Sequence, residues 1–474
     1  MPGPFRPPTR HVRRSLLQQR RLLKGSLPVI SFYLAEVAMT LTDAAFVGHL
    51  GNTELAAIGL SIGALFPLIF GGMVLVSTGC IFVSEAHARG DHAGTQAALD
   101  LSLWACLALS PALIAVALLL PAAFRLAGQD PAVVALCGQY LAVVSWSIPA
   151  MLGFSVYRAY VSALGANRVI FVVSLGGVLL NAALNYGLVF GALGLPALGL
   201  PGAAIGTALA SWAMLFAIAR HCRHRLGYRF RWRSRSGLDR QTCRDLLRIG
   251  LPSFAIGLFE SSLFGVVTLL AGYFGVAFMA ATTIAIYVGD LFIILALGIG
   301  DLLTVQLAAK AARGDVRGGR RLAWSALLLI TVLTAPLAAL CWWGPDWIAG
   351  IFIDTAKAEA AEVLRYAQIL LGILAWFLLA DAAQIILSRS LKGLRDTLAP
   401  MWIASIGYWL IGIGGGWMLA TQGGLGGVGL WYGLAAGLSL AALALACRLG
   451  AWTRPANCPQ QDKNTMRSDT ELLG

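Results

Sequence analysis

Long apolar runs dominate the chain from Ser26 to residue 448, and that pattern leaves few folds open. A helix that crosses a bilayer needs about 20 mostly apolar residues, whereas transmembrane barrels are built from short alternating segments. Of the 474 residues, 58% are hydrophobic and 12% charged, against about 25% charged in a soluble domain. In hydrocarbon every backbone N–H and C=O must be paired within the structure, and a helix does this by itself. The expected fold class is an all-α integral membrane protein. Twelve spans are predicted, at about 26–48, 58–84, 98–122, 133–160, 168–193, 200–220, 249–271, 280–306, 322–345, 362–388, 398–420 and 425–448. Pro28, Pro67, Pro149 and Pro252 are candidate kinks or helix starts.

The chain also repeats itself. The stretch starting at Ser26, SLPVISFYLAEVAMTLTDAAFVGHLG, matches GLPSFAIGLFESSLFGVVTLLAGYFG, starting at Gly250, with one constant offset. Pro28 falls on Pro252, Glu36 on Glu260, Gly48 on Gly272 and Gly51 on Gly275. The register holds to the tetrapeptide ARGD, at Ala88–Asp91 and again at Ala312–Asp315. Duplicated membrane halves are a common way to build a transporter, with the substrate site where the halves meet.

Loop charge sets orientation. Residues 1–25 carry Arg6, Arg10, Arg13, Arg14, Arg20, Arg21 and Lys24 and no acid. The linker 221–248 carries nine arginines against Asp239 and Asp245. Lys310, Arg313, Arg317, Arg320 and Arg321 follow span eight, and Arg389, Lys392 and Arg395 are read as the loop after span ten. The loop before span ten is mainly acidic, with Asp346, Asp354, Glu359 and Glu362 against Lys357. This alternation puts both termini and the linker in the cytoplasm. The expected domains are a basic N-terminus (1–25), an N-lobe (26–220), the arginine-rich linker (221–248), a C-lobe (249–448) and a polar, disordered tail (449–474). The net charge of +13 is then a topology signal. An orienting linker that faces anionic lipid accounts for the arginine run, so no nucleic-acid partner is expected. The eight cysteines form no CxxC pair, and free thiols are expected.

The segments TDAAFVGHLGNTELAAIGLS, LLNAALNYGLVFGALGLPALGLPGAAIGTALASW, GLPSFAIGLFESSLF and LLADAAQIILSRSLKGLRDTLAP together resemble the multidrug and toxic compound extrusion family, across most of residues 26–448. The resemblance implies twelve transmembrane helices in two pseudo-symmetric six-helix bundles that form a V around a central cavity. It implies export of organic, mostly cationic compounds in exchange for Na+ or H+, with no cofactor beyond that coupling ion.

Charge at a helix centre costs about 2.5–3.5 kcal/mol on insertion scales, so an embedded carboxylate points to function. The resemblance carries Asp43 over as the N-lobe carboxylate, in a polar cluster with Asn181, Asn185 and Thr207. Asn181 and Asn185 are one helical turn apart and share a face. Some members, mainly of the DinF-type branch, have aspartate where this chain has Asn185. Glu36 lies seven residues before Asp43, on nearly the same face. In the C-lobe, Glu260 and Asp381 match the carboxylates that mark the NorM-type branch, and Gln384 shares a face with Asp381. Asp290 is a departure from the family pattern, as are Thr283 and Tyr287, which replace the usual Gln and Asn. Sodium at Glu260, Asp381 or Asp43 is the metal this reading allows.

No phosphate-cradling GxxxxGK[ST] occurs and the six histidines suggest no catalytic triad. An enzyme is not expected. The leading reading is a secondary multidrug antiporter of the bacterial inner membrane, a monomer among membrane lipids that takes small organic cations. The rivals are a lipid-linked oligosaccharide flippase, which would need basic residues in its cavity to meet pyrophosphate, and a channel. The embedded charges are read as acidic apart from Arg158, which favours cationic cargo.

Overall fold

The structure, a computed structural model, describes residues 10–228, 240–352 and 360–452. Among these residues twelve helical spans are long and apolar enough to cross a membrane, and none is a strand. The N-lobe comprises α1 (Arg10–Gly48), α2 (Asn52–Ser77), α3 (Gly79–Ala88), α4 (His92–Leu126), α5 (Pro131–Val144), α6 (Ile148–Ala163), α7 (Arg168–Phe190) and α8 (Leu200–Arg225). The C-lobe comprises α9 (Arg240–Ala271), α10 (Val276–Ala312), α11 (Val316–Trp343), the short α12 (Pro345–Phe352), α13 (Ala360–Gly393), α14 (Leu398–Ala404), α15 (Gly416–Thr421) and α16 (Val428–Trp452). The pairs α2–α3 and α5–α6 each make one span, and α14 and α15 are joined by a π-helical stretch, Ser405–Gly415. The expected all-α membrane fold is the one observed. Of the four prolines, Pro28, Pro67 and Pro252 lie inside helices, and Pro149 sits in the first turn of α6 after a 3-10 turn.

Several helices run past the apolar stretch that predicts them. α1 starts at Arg10, α8 continues to Arg225 and α9 begins at Arg240. Arginine, lysine and glutamine are good helix formers, so a helix need not stop where the hydrocarbon does. Arg6, the linker residues 229–239, Asp354, Lys357, Glu359 and the tail 453–474 lie outside the described residues.

The repeat is visible in the caps. Asp91 and Asp315, the last residues of the two ARGD segments, each cap the following helix, with Oδ1 accepting from Gly94 N and Gly318 N at 2.8 Å. The lobes meet in crossed fashion, α1 against α10 and α2 against α9. Both seams close on glycine. A Cβ on Gly298 would stand 3.0 Å from the backbone nitrogen of Ile30, and one on Gly71 would stand 3.1 Å from the Phe254 carbonyl oxygen. Ile30 and Phe254 are equivalent positions of the repeat. Small residues allow the close backbone approach on which membrane helix packing depends. Both seams lie toward the end of the molecule that carries the loops after α3, α6, α10 and α13. Nearer the opposite end the same four helices carry exposed side chains, among them Leu41, Leu55, Leu269 and Tyr287.

Candidate functional site

In the N-lobe, α1, α7 and α8 bring four polar side chains together. Asp43 is 3% exposed, and Asn181 and Asn185 are fully buried. Asn181 Nδ2 donates to Asp43 Oδ1 at 3.1 Å and Asn185 Nδ2 to the same oxygen at 2.5 Å. Thr207 Oγ1 donates to Asp43 Oδ2 at 2.6 Å. The one-turn spacing on α7 aims both amides at one carboxylate. Among the described residues no Lys, Arg or His forms an ion pair with Asp43. Among the described residues the buried Asn185 carbonyl oxygen, Oδ1, has no hydrogen-bond partner. An anion with neutral donors only, beside a free acceptor, suits a proton or a hard cation that prefers oxygen ligands.

In the C-lobe, Asp381 on α13 is 9% exposed and Glu260 on α9 is half-buried. Glu260 and Asp290 both lie within electrostatic reach of Asp381. Asp290 itself is exposed, as is Tyr287. Gln384 is fully buried beside the Glu260 carboxylate, and among the described residues its amide forms no hydrogen bond of ordinary geometry. Phe259 and Trp409 stand edge to face, 6.0 Å between ring centroids, with Trp409 half-buried. Glu36, on α1, belongs to neither cluster. It lies within reach of Arg158 and Asp301.

Two basic residues correct the sequence reading, and they join Arg158, which it already placed in a span. Arg389 and Lys392 are not in a loop: α13 continues to Gly393, and they are 7% and 6% exposed. Arg158 on α6 is equally buried. The embedded charges are therefore mixed, not acidic apart from one. Asp301 on α10 explains how two of them are tolerated. Its Oδ2 receives Arg158 Nη1 at 2.9 Å and Tyr33 OH at 2.8 Å, and its Oδ1 faces Arg389 Nη1 at 3.2 Å. Lys392 Nζ donates to the Val74 carbonyl at 3.1 Å. Arg389 and Lys392 also line a narrow cleft with Glu260 at the α2–α9 seam. A buried charge persists where partners offset its desolvation. In the sequence, Asp301 shows only as one more acid in a span, because its partners come from α1, α6 and α13.

The MatE family model matches residues 28–187 and 252–418. A probable multidrug resistance protein NorM of Rhizobium meliloti is 36% identical over 433 residues, covering 90% of this chain and 92% of the relative. The multidrug resistance protein NorM of Burkholderia vietnamiensis is 33% identical, covering 89% and 91%. Among solved structures, the Vibrio cholerae MATE transporter VcmN in the bent form superposes with a TM-score of 0.82 at 20% identity, covering 94% of this chain and 98% of that one. An outward-facing multidrug resistance MATE family transporter of the MOP superfamily superposes with a TM-score of 0.82 at 20% identity, covering 92% and 96%.

Proposed function

The chain belongs to the MatE family, and on that premise we propose that it is a secondary active multidrug efflux antiporter. It exports organic, mostly cationic compounds in exchange for Na+ or H+ by alternating access of a cleft between the lobes. The observation that carries the coupling is Asp43, a buried carboxylate with three neutral donors and, among the described residues, no cationic partner. Such a group exchanges between a protonated or cation-bound state and an anion open to a competing cation. The mechanism follows from that exchange. A coupling ion enters from outside and neutralises Asp43, cargo held near Glu260, Asp381 and Gln384 is released to that side, and the lobes then close there. Phe259 and Trp409 offer aromatic faces to a flat cation. Asp290 and Tyr287 face the exposed part of the same lobe and act on cargo entry. Each inward charge gains about 2.3 kcal/mol per 100 mV. The protein works as a monomer in the inner membrane, with its basic loops and both termini in the cytoplasm.

The flippase reading gains the three buried cations but loses their availability. Arg158 and Arg389 are held by Asp301 and Lys392 by a carbonyl, at the seam and not on an open wall. The test is efflux of a cationic dye from proteoliposomes with sodium and pH gradients imposed separately. The antiporter reading requires uphill efflux driven by at least one of them. Equal dye movement without any gradient would point to a channel, and tight binding of a pyrophosphate-linked sugar would point to the flippase.

A further inference from the structure

Resting on the alternating-access reading, we propose that Asp301 and Arg395 are gate-positioning residues: two layers of ion pairs that hold the lobes together at the basic-loop end and must separate for the cleft to open there. The inner layer is split between the lobes. Asp301 belongs to the C-lobe, yet its Oδ2 is taken by two N-lobe groups, the Arg158 guanidinium at 2.9 Å and the Tyr33 hydroxyl at 2.8 Å. Its Oδ1 faces Arg389 of its own lobe at 3.2 Å. The Arg158 guanidinium also lies over the Phe32 ring, 4.5 Å from its centroid. Parting the lobes takes Asp301 away from Arg158 and leaves a buried guanidinium without its carboxylate. Breaking a buried pair in this way is strongly unfavourable, so the pair selects the closed arrangement.

The outer layer carries a mark in the backbone. Arg395 follows α13 and pairs with Glu85 of α3 through two of its guanidinium nitrogens, Nε to Oε1 at 2.9 Å and Nη2 to Oε2 at 2.5 Å. Its guanidinium sits 4.8 Å from the Phe82 ring centroid. Among the described residues Arg395 is the one non-glycine with a positive φ, 64°. The N-lobe supplies the reference. α6 and α13 end in the same way, with Ala166 N bonded to Val161 O and Asp396 N bonded to Leu391 O. In α6 the left-handed position is Gly165, with φ 73°; in α13 it is Arg395. A Cβ is disfavoured there, so the local backbone prefers glycine and the interlobe contact is what favours arginine. The two layers are one-sided. Ser84 Oγ donates to Val305 O at 2.7 Å and Arg313 Nε to Ala88 O at 3.4 Å beside them, at the same end.

The test uses the full chain in lipid nanodiscs, with native cysteines replaced and spin labels on His92→Cys and Arg317→Cys. These exposed positions begin α4 and α11, one in each lobe at the basic-loop end. Interspin distances are measured by double electron–electron resonance, with and without sodium, acid pH or dye. The unmodified gate should give one dominant short distance without ligand. Asp301→Asn should raise the long-distance population about tenfold, while Asp301→Glu, which keeps the charge, stays close to the parent. Arg395→Glu should raise it about threefold, and adding Glu85→Arg should reverse most of that rise. Arg395→Gly should open the gate without a matching fall in thermal stability, because it relieves the backbone as it removes the pair. Should Asp301→Asn fail to fold, the Arg395 and Glu85 series decides alone. Unchanged distances in every variant, alongside a parent that does change with ligand, would overturn the gate while sparing alternating access. A parent that never shows a second distance would sink both.

Discussion

In the N-lobe, Asp43 is surrounded by neutral donors; in the C-lobe, Glu260 stands within electrostatic reach of Arg389 and Lys392. The repeat makes this contrast sharp. Glu36 and Glu260 occupy equivalent positions, but the position equivalent to Asp43 is the buried Val267, and the one equivalent to Asp301 is Ser77. One duplicated frame has thus been used for two kinds of charge. Among the described residues Asp43 has no resident countercharge, and in the proposed function a mobile ion supplies it. Glu260 shares its surroundings with the fixed cations Arg389 and Lys392, whereas Asp381 has the acids Glu260 and Asp290 within reach; in the proposed function these C-lobe groups serve cargo.

The first way to break this comparison is to remove each charge isosterically. Asp43→Asn should lower gradient-driven efflux in proteoliposomes by about a hundredfold, equivalent to roughly 2.7 kcal/mol, with membrane insertion retained. Glu260→Gln and Asp381→Asn should each lower it by about tenfold and act mainly on cargo affinity. A larger loss from Glu260→Gln than from Asp43→Asn would reverse the assignment of the lobes.

A finer cut separates the charge of Asp43 from its donors. Thr207→Val removes the 2.6 Å bond to Oδ2 but leaves the anion. A hydrogen bond to a charged group contributes about 1.5–3 kcal/mol, so the sodium or proton concentration for half-maximal efflux should shift by about tenfold. The maximal rate should change little. An unchanged half-maximal concentration would detach Thr207 from the ion.

The smallest expected effect lies where the two halves still agree. Asp91→Ala and Asp315→Ala should each destabilise the protein by about 1 kcal/mol as lost helix caps, read as a shift in thermal unfolding. Asp315 adds a pH dependence. The Lys310 ammonium at 2.8 Å and the Gly318 N–H hold its carboxyl below the usual carboxylate range. A depressed folded-state pKa gives stability that is present above the unfolded value and lost as pH falls through the folded one. The stability difference between the native chain and Asp315→Ala should therefore be constant at neutral pH and shrink only in acid. A difference that instead grew in acid would contradict the pairing.

An all-α membrane protein of twelve spans built from two related halves was legible in the amino-acid order alone. Hydropathy and repeat register are local or periodic properties, so they survive in one dimension. The spacing of Asn181 and Asn185 put two amides on one face for the same reason, and the resemblance supplied the carboxylate they meet. The burial of Arg389 and Lys392 was not legible, because basic residues near the end of an apolar run read the same in a loop as in a helix that continues. Tertiary structure decided their fate through Asp301 and the Val74 carbonyl. It also decided that Arg158 and Tyr33 of one lobe close on Asp301 of the other, and that Arg395 rather than glycine holds a left-handed turn. Those pairings join residues more than eighty positions apart with no period between them. Only the approach of α1, α6 and α13 to α10 and of α3 to the end of α13 brings the charges close enough to offset their desolvation.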